Sequence, residues 1–319
     1  MVRNTIATPE GTAEPGEPAR TAAARARRPL PLAMLAALRP RQWTKNAIVF
    51  AALVFARRVF DPPALAEAVA AFVFFCAVSG AIYLVNDILD VEQDRMHPRK
   101  RFRPIAAGEL PVGLAWALAG VLAGGSLALA ALLRPALAGV IGVYVIVQVA
   151  YSLVLKHQVI LDVFAIAAGF VLRAAAGAVA IGVPISPWLY VCTVLLALFL
   201  GLAKRRAEIM LLNEEAGRHR RILEEYSATL LEEMIAVVTS ATVMAYALYT
   251  FSAENLPRDH SMMLTIPFVL YAIFRYLYLV YRKNEGGSPE QLLLTDVPLL
   301  ACIVLWGLAS IVLLYSPWR

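Results

Sequence analysis

Long apolar runs, each cut off by a short cluster of charge, set the pattern of this chain. They lie at about Asn46 to Ala56, Ala64 to Val85, Val112 to Leu133, Leu137 to Leu155, Val159 to Ile181, Trp188 to Ala203, Ala228 to Phe251, Leu264 to Tyr281 and Val297 to Tyr315. A helix of about 20 apolar residues covers the hydrocarbon core of a bilayer. The pattern therefore predicts an all-α integral membrane protein, a bundle of nine transmembrane helices. The first run is short, so its helix should begin upstream as an interfacial segment within LRPRQWTKN, residues 38–46. Arg134-Pro135 marks a tight external turn, and Ile209 to Ser227 reads as a charged amphipathic connector. Gly120, Gly124 and Gly125 suggest close helix packing and permit a homo-oligomer.

Residues 1–29 carry no apolar core and are rich in Ala, Pro, Glu and Arg, so they read as a disordered tail and not a secretory signal. Residues 30–319 then form a single polytopic domain. With 60% hydrophobic and 16% charged residues, the chain falls outside the soluble globular class. The net charge of +6 raises the question of nucleic acid, but the basic residues gather in short loops. About 22 of the 29 Lys and Arg fall on the side of the amino terminus. The positive-inside rule accounts for them, with no nucleic-acid partner. It places the amino terminus and every polar motif at the cytoplasmic face of the cell membrane. Cys76, Cys192 and Cys302 all lie in apolar runs, and the four histidines show no metal-ligand spacing.

One stretch carries the chemistry: YLVNDILDVEQDRMHPRKRFRPIAAG, residues 83–108. Asn86, Asp90 and Asp94 recur every fourth residue and so line one face of a helix at successive turns. Asp87 and Glu92 add carboxylates beside that face, and Arg95, Arg99, Lys100, Arg101 and Arg103 follow. Carboxylates at that spacing suit Mg²⁺, a hard ion that shares oxygen ligands with substrate phosphates. Nearby cations can hold phosphate charge. An ordinary solvated loop is the competing reading. Arg41, Lys45 and Asn46 either anchor the first helix at the head groups or face the same polar cavity as the Asp cluster.

A second constellation runs through Tyr151, Lys156, Asp162 and Arg173, followed by Lys204 and Glu208 at i, i+4 with Arg205 and Arg206 beside them. Asp162 and Arg173 are eleven residues apart and project to nearly the same face, either as an ion pair or as part of a site. Arg275 sits within a span, where it reaches the phosphate site, snorkels to the interface or forms a local pair. Acids and cations at one membrane face, among apolar helices, suit transfer between a soluble phosphorylated substrate and a lipid.

These residues resemble the UbiA superfamily of membrane-embedded transferases from about Leu38 onward. The resemblance implies a nine-helix bundle with a cytoplasm-facing polar cavity, and Asn86, Asp90 and Asp94 as Mg²⁺ ligands. RPRQWTKN at 39–46, the segment 86–108 and YSLVLKHQVILDVFAIAAGFVLRAAAG at 151–177 are most similar to the phosphoribosyl-transferring branch. That branch implies 5-phosphoribosyl 1-diphosphate and a polyprenyl phosphate as substrates, in the synthesis of arabinan cell-wall precursors. It also implies Asp90, Asp94, Lys156 and Asp162 as catalytic residues. Lys45, Asn46, Tyr83, Lys100, Arg101, Arg103, Tyr151, Arg173, Lys204 and Glu208 are candidates for substrate binding. The prenyl-diphosphate branch typically carries a second Asp-rich motif, where this chain offers Asp162 alone. A prenyltransferase acting on an aromatic or haem acceptor is one rival, and a lipid transporter or flippase is another.

Overall fold

The computed structural model describes residues 28–98, 100–212, 225–253, 256–283, 286–287 and 289–315. The tail before residue 28, Arg99 and residues 213–224 of the expected connector lie outside the described residues. All regular structure described is helical. Helices α1 (Leu30–Ala37), α2 (Ala51–Phe55), α3 (Pro62–Leu89) and α4 (Val91–Met96) come first. Then follow α5 (Val112–Leu133), α6 (Pro135–Leu153), α7 (Leu161–Ala180) and α8 (Pro187–Leu212). The last are α9 (Ala228–Ser252), α10 (Ile266–Arg282), α11 (Pro289–Thr295) and α12 (Val297–Tyr315).

Local chemistry starts these helices where the sequence supplies it. Asp61 accepts from the Ala64 N–H at 3.4 Å, and prolines open α3. Ser227 accepts from Leu230 N–H at 3.0 Å ahead of α9, and Asp296 from Leu299 N–H at 2.9 Å ahead of α12. Each side chain satisfies an amide that has no partner within its own helix.

Among the described residues eight helices, not nine, are long and apolar enough to cross a membrane. The difference is the first expected span. Pro40–Phe50 is a 3₁₀ helix that runs directly into the five-residue α2. At about 2.0 Å and 1.5 Å per residue the two together reach about 30 Å, enough to cover the core. Arg41 and Lys45 within it, and its small number of residues, set it apart from the eight.

This 3₁₀ segment lies against α3 and α7. A Cβ at Gly177 of α7 would sit 1.9 Å from the Val49 carbonyl oxygen, so only glycine lets the two backbones meet there. By contrast, a Cβ at Gly120, Gly124 or Gly125 would meet nothing within 4 Å. The expected close packing at these three glycines is not made among the described residues. Their helix α5 and its neighbour α6 are only 17% buried, whereas α3 and α7 are 50% and 56% buried and form the centre.

Successive long helices pack on one another. At one end Arg58 donates to Ile181 O (2.7 Å) and Arg134 to Ala180 O (2.8 Å), so two guanidinium groups close the carboxyl end of α7. The opposite end holds the carboxyl end of α3, the start of α7 and the carboxyl end of α8. The polar motifs gather there.

Candidate active site

Three polar networks lie along the central helices. The first is at the break between α3 and α4. Asp90 leaves helical geometry (ψ 7°), yet its N–H still donates to Asn86 O (3.0 Å), and Asp94 N–H to Asp90 O (2.8 Å). The one-turn spacing of Asn86, Asp90 and Asp94 therefore survives the break. Asp94 is buried and accepts from Arg103 Nη1 at 2.6 Å. The same Nη1 reaches Asp87 Oδ1 at 3.0 Å, and Arg39 donates to that oxygen too.

Asp87, a flanking carboxylate by its sequence, is thus the most tightly held acid of the turn. Arg39 sits in the left-handed region (φ 53°) with its guanidinium 4.7 Å from the centre of the Tyr83 ring. Of the basic run, Arg103 turns inward, while Lys100 and Arg101 are exposed. Glu92 faces outward and pairs with Arg95 at 2.8 Å. Asn86 and Asp90 are half-buried with no side-chain partner among the described residues.

Among those residues no three His, Cys, Asp or Glu side chains stand together as a metal-holding group. The donors at the turn are nonetheless all oxygen: uncommitted Asn86 and Asp90, and Asp94 with one oxygen on Arg103. Mg²⁺ is commonly held by one or two carboxylates, its shell completed by water and substrate phosphate. The residues present fit that ion.

The second network joins α7 and α8. Asp162 is fully buried, and Arg205 Nε donates to its Oδ2 at 2.6 Å. Its Oδ1 accepts from the Tyr226 hydroxyl at 2.8 Å, and that hydroxyl accepts from Ile160 N–H at 2.6 Å. Burial, and the hydrogen bond to Asp162, push the Tyr226 phenol well above its ordinary range, so it stays a donor. Arg205 also grips Glu208 and the Tyr151 hydroxyl (3.3 Å). Lys204 reaches Glu208 at 4.0 Å, and Lys156 is half-buried.

Arg205, which the sequence leaves as a flanking cation, is therefore the hub that Tyr151, Asp162 and Glu208 share. An i, i+4 reading of α8 singles out Lys204 and Glu208. The available signal for Arg205 was its own i, i+3 relation to Glu208.

The third network corrects the expected link between Asp162 and Arg173. Eleven residues of helix place their backbones about 16 Å apart, too far for a direct pair. Arg173 instead donates from Nε to Asn46 Oδ1 (2.6 Å), from Nη1 to Gly169 O (2.8 Å) and from Nη2 to the Tyr144 hydroxyl (2.7 Å). Asn46 is buried and donates to Cys76 Sγ at 3.3 Å. Both residues tie the 3₁₀ segment to α7. Lys45, next in the chain, is half-buried. Arg275 forms a local pair with Asp296, at 3.1 and 2.8 Å.

Two apolar grooves open beside α9. One, about 490 Å³, lies between α9 and α10, and the other, about 340 Å³, between α9 and the pair α7 and α8. Neither is lined by the α3–α4 carboxylates.

A helical membrane bundle with oxygen donors at a broken helix end, braced by guanidinium groups, defines a class, and comparison with known proteins agrees. The chain belongs to the UbiA prenyltransferase family, whose sequence profile matches residues 46–297. It is 39% identical over 289 residues to the decaprenyl-phosphate phosphoribosyltransferase of Corynebacterium glutamicum, covering 88% of this chain and 86% of that protein. The Mycolicibacterium smegmatis protein of the same name is also 39% identical, over 286 residues, 86% of this chain and 89% of the relative. Among solved structures, a UbiA homolog from Archaeoglobus fulgidus bound to GPP and Mg²⁺ superposes with a TM-score of 0.67. The match covers 88% of this chain and 99% of that one at 19% identity, a likeness of fold.

Proposed function

We propose that this protein transfers 5-phosphoribose from 5-phosphoribosyl 1-diphosphate to a polyprenyl phosphate of decaprenyl type, releasing diphosphate. The relatives' activity is the starting point. The observation that carries the choice within the family is the state of Asp162. Both its oxygens are engaged, by Arg205 and Tyr226, so the α7–α8 side offers a positioned guanidinium instead of a second set of metal ligands. That favours an anionic lipid phosphate there over a lipid diphosphate needing more metal. Arabinan precursor synthesis is the pathway we assign to the product.

Asn86, Asp90 and Asp94 would hold Mg²⁺. When bound, the ion supplies positive charge to the diphosphate as it departs. Arg103 and Arg39 fix Asp94 and Asp87, and so set the carboxylates before substrate arrives. Lys100 and Arg101, both exposed, would meet the donor's phosphates as they enter from water. Lys156, just after α6, and Lys204, which reaches Glu208 on α8, would hold the lipid phosphate.

In the reaction the bond from C1 to the diphosphate oxygen breaks, and its electron pair leaves with diphosphate. A lipid phosphate oxygen forms the new bond to C1. That oxygen is already ionised near neutral pH, so no general base is needed. With the amino terminus in the cytoplasm, as the loop charges favour, the site faces the soluble donor.

The test uses purified protein, Mg²⁺ and radiolabelled 5-phosphoribosyl 1-diphosphate, with and without decaprenyl phosphate. Lipid-dependent passage of label into the organic phase, abolished by EDTA, is the expected result. No transfer, but prenylation of an aromatic acceptor from a prenyl diphosphate, would move the protein to the other branch of the family.

A further inference from the structure

The connection between α6 and α7 ends on a backbone conformation that its residue does not favour. Ile160 stands at φ 69° and ψ −47°, and the Leu161 N–H donates across it to Val159 O at 2.8 Å. That is a γ-turn of the rare, strained hand. Positive φ is costly for any side chain, and most of all for a β-branched one. Four described residues other than glycine have positive φ, and Ile160 alone among them is β-branched. Its side chain is 41% exposed, so packing around it does not enforce the turn.

One hydroxyl does. Tyr226, just ahead of α9, accepts from the Ile160 N–H at 2.6 Å and donates to Asp162 Oδ1 at 2.8 Å. A phenol has one proton to give and lone pairs to receive, so both bonds are made at once. The Tyr226 ring is buried in the same core cluster as Leu231, Ile235 and Tyr276. The hydroxyl is therefore held by the body of the protein, and the turn is fitted to it.

What hangs on this turn is the α7–α8 side of the candidate site. Residues 154–160 carry Lys156, and Ile160 sets the direction in which they join α7. Beyond the turn, Asp162 holds Arg205 at 2.6 Å, and Arg205 reaches the Tyr151 hydroxyl at 3.3 Å. Backbone strain persists where the surroundings enforce it, and it gathers at functional sites.

We infer that Tyr226 is a positioning residue for the lipid phosphate. Its hydroxyl holds Ile160 in the strained turn, and the turn sets Lys156 and the Asp162–Arg205 pair towards one phosphate. The inference rests on the phosphoribosyl reading for the identity of that phosphate. Without the hydroxyl, Ile160 would relax to negative φ and the segment carrying Lys156 would swing away. The α3–α4 turn, proposed for the soluble donor, uses none of these residues and should be unaffected.

Tyr226→Phe removes the hydroxyl and keeps the buried ring. Two readouts apply to the full chain in phosphatidylcholine nanodiscs. The first is amide hydrogen exchange with no substrate present. Exchange within residues 158–163 should quicken at least about tenfold, with residues 86–94 unchanged. The second is saturation binding of radiolabelled decaprenyl phosphate, whose Kd should rise at least about tenfold. In transfer, the KM for decaprenyl phosphate should rise in step, while kcat and the KM for 5-phosphoribosyl 1-diphosphate change less than about twofold.

Ile160→Gly separates positioning from general damage, because glycine takes positive φ freely. Added to Tyr226→Phe, it should bring decaprenyl phosphate affinity back to within about threefold of wild type, although Asp162 still lacks the phenol. Unchanged lipid affinity in Tyr226→Phe overturns the inference. So does an equal rise in both KM values, or a double variant no better than Tyr226→Phe. If the wild type itself binds no decaprenyl phosphate, the phosphoribosyl reading falls, and the exchange rates still decide whether Tyr226 holds the turn.

Discussion

Arg205 donates to Asp162 at 2.6 Å across 43 residues of sequence, with both side chains buried between α7 and α8. The pair is the fixed point of the candidate lipid-phosphate side. Removing one member leaves the other charged and buried, which typically costs about 3–5 kcal/mol. Asp162→Asn and Arg205→Gln should each lower thermal stability in detergent by an amount of that order. A double-mutant cycle should show strong coupling, since the double variant removes both buried charges of the pair and leaves the half-buried Glu208 to Lys204. Additive losses would show that the pair does not act as a unit.

Asp90 offers the opposite case. It is half-buried and unpaired, so Asp90→Asn should change stability by no more than about 0.5 kcal/mol, as for an ordinary surface substitution. Transfer should nevertheless fall at least about a hundredfold if the carboxylate holds the ion. Mn²⁺ binding, followed by electron paramagnetic resonance, should weaken in parallel. Full Mn²⁺ binding by a folded Asp90→Asn protein would remove Asp90 from the ligand set. Asp87→Asn differs again: it should destabilise the protein, because Arg39 and Arg103 both converge on that carboxylate.

The contrast between Asp90 and Asp87 shows what a linear reading carries. Period and spacing locate the long helices and keep Asn86, Asp90 and Asp94 on one face, because those depend on residues a few positions apart. Partners do not. Asn46 meets Arg173 across 127 residues, and Asp162 meets Arg205 instead of its own helix-mate. Such choices depend on how helices dock. The 3₁₀ winding of Pro40–Phe50 is likewise hidden, since nothing in PRQWTKNAIVF distinguishes it from a short α-helix. Composition alone makes it look too short to span, whereas its larger rise per residue restores the length.

Asp296 joins the start of α12 to α10, accepting from Leu299 N–H and from Arg275. The hydrogen bond from Arg275 holds its carboxyl below the ordinary value of 3.8. The folded value lies below the unfolded one, so the contribution is present above about pH 4 and lost as pH falls through the folded value. Thermal midpoints of the wild type should be flat from about pH 5 to 7 and fall below about pH 4. Asp296→Asn should lack that acid-dependent part while keeping the cap. Asp296→Ala should cost about 0.5–2 kcal/mol at neutral pH. Equal losses for Asn and Ala would show that the cap contributes nothing.

Gly177 tests whether the 3₁₀ segment and α7 act as one body. Its α-carbon faces the Val49 carbonyl, and a methyl group there would stand 1.9 Å from that oxygen. Neither backbone has a flexible side chain to move aside, so Gly177→Ala must push the helices apart. Overpacking of this kind costs about 1–3 kcal/mol. The displacement would reach Asn46, three residues before Val49, and strain its 2.6 Å bond to Arg173. Gly177→Ala should therefore lower the thermal midpoint and raise proteolytic cleavage within residues 40–50. Asn46→Ala should reproduce the cleavage without the steric clash. If Gly177→Ala destabilises the protein while cleavage there stays at the wild-type rate, the 3₁₀ segment is held by contacts other than α7.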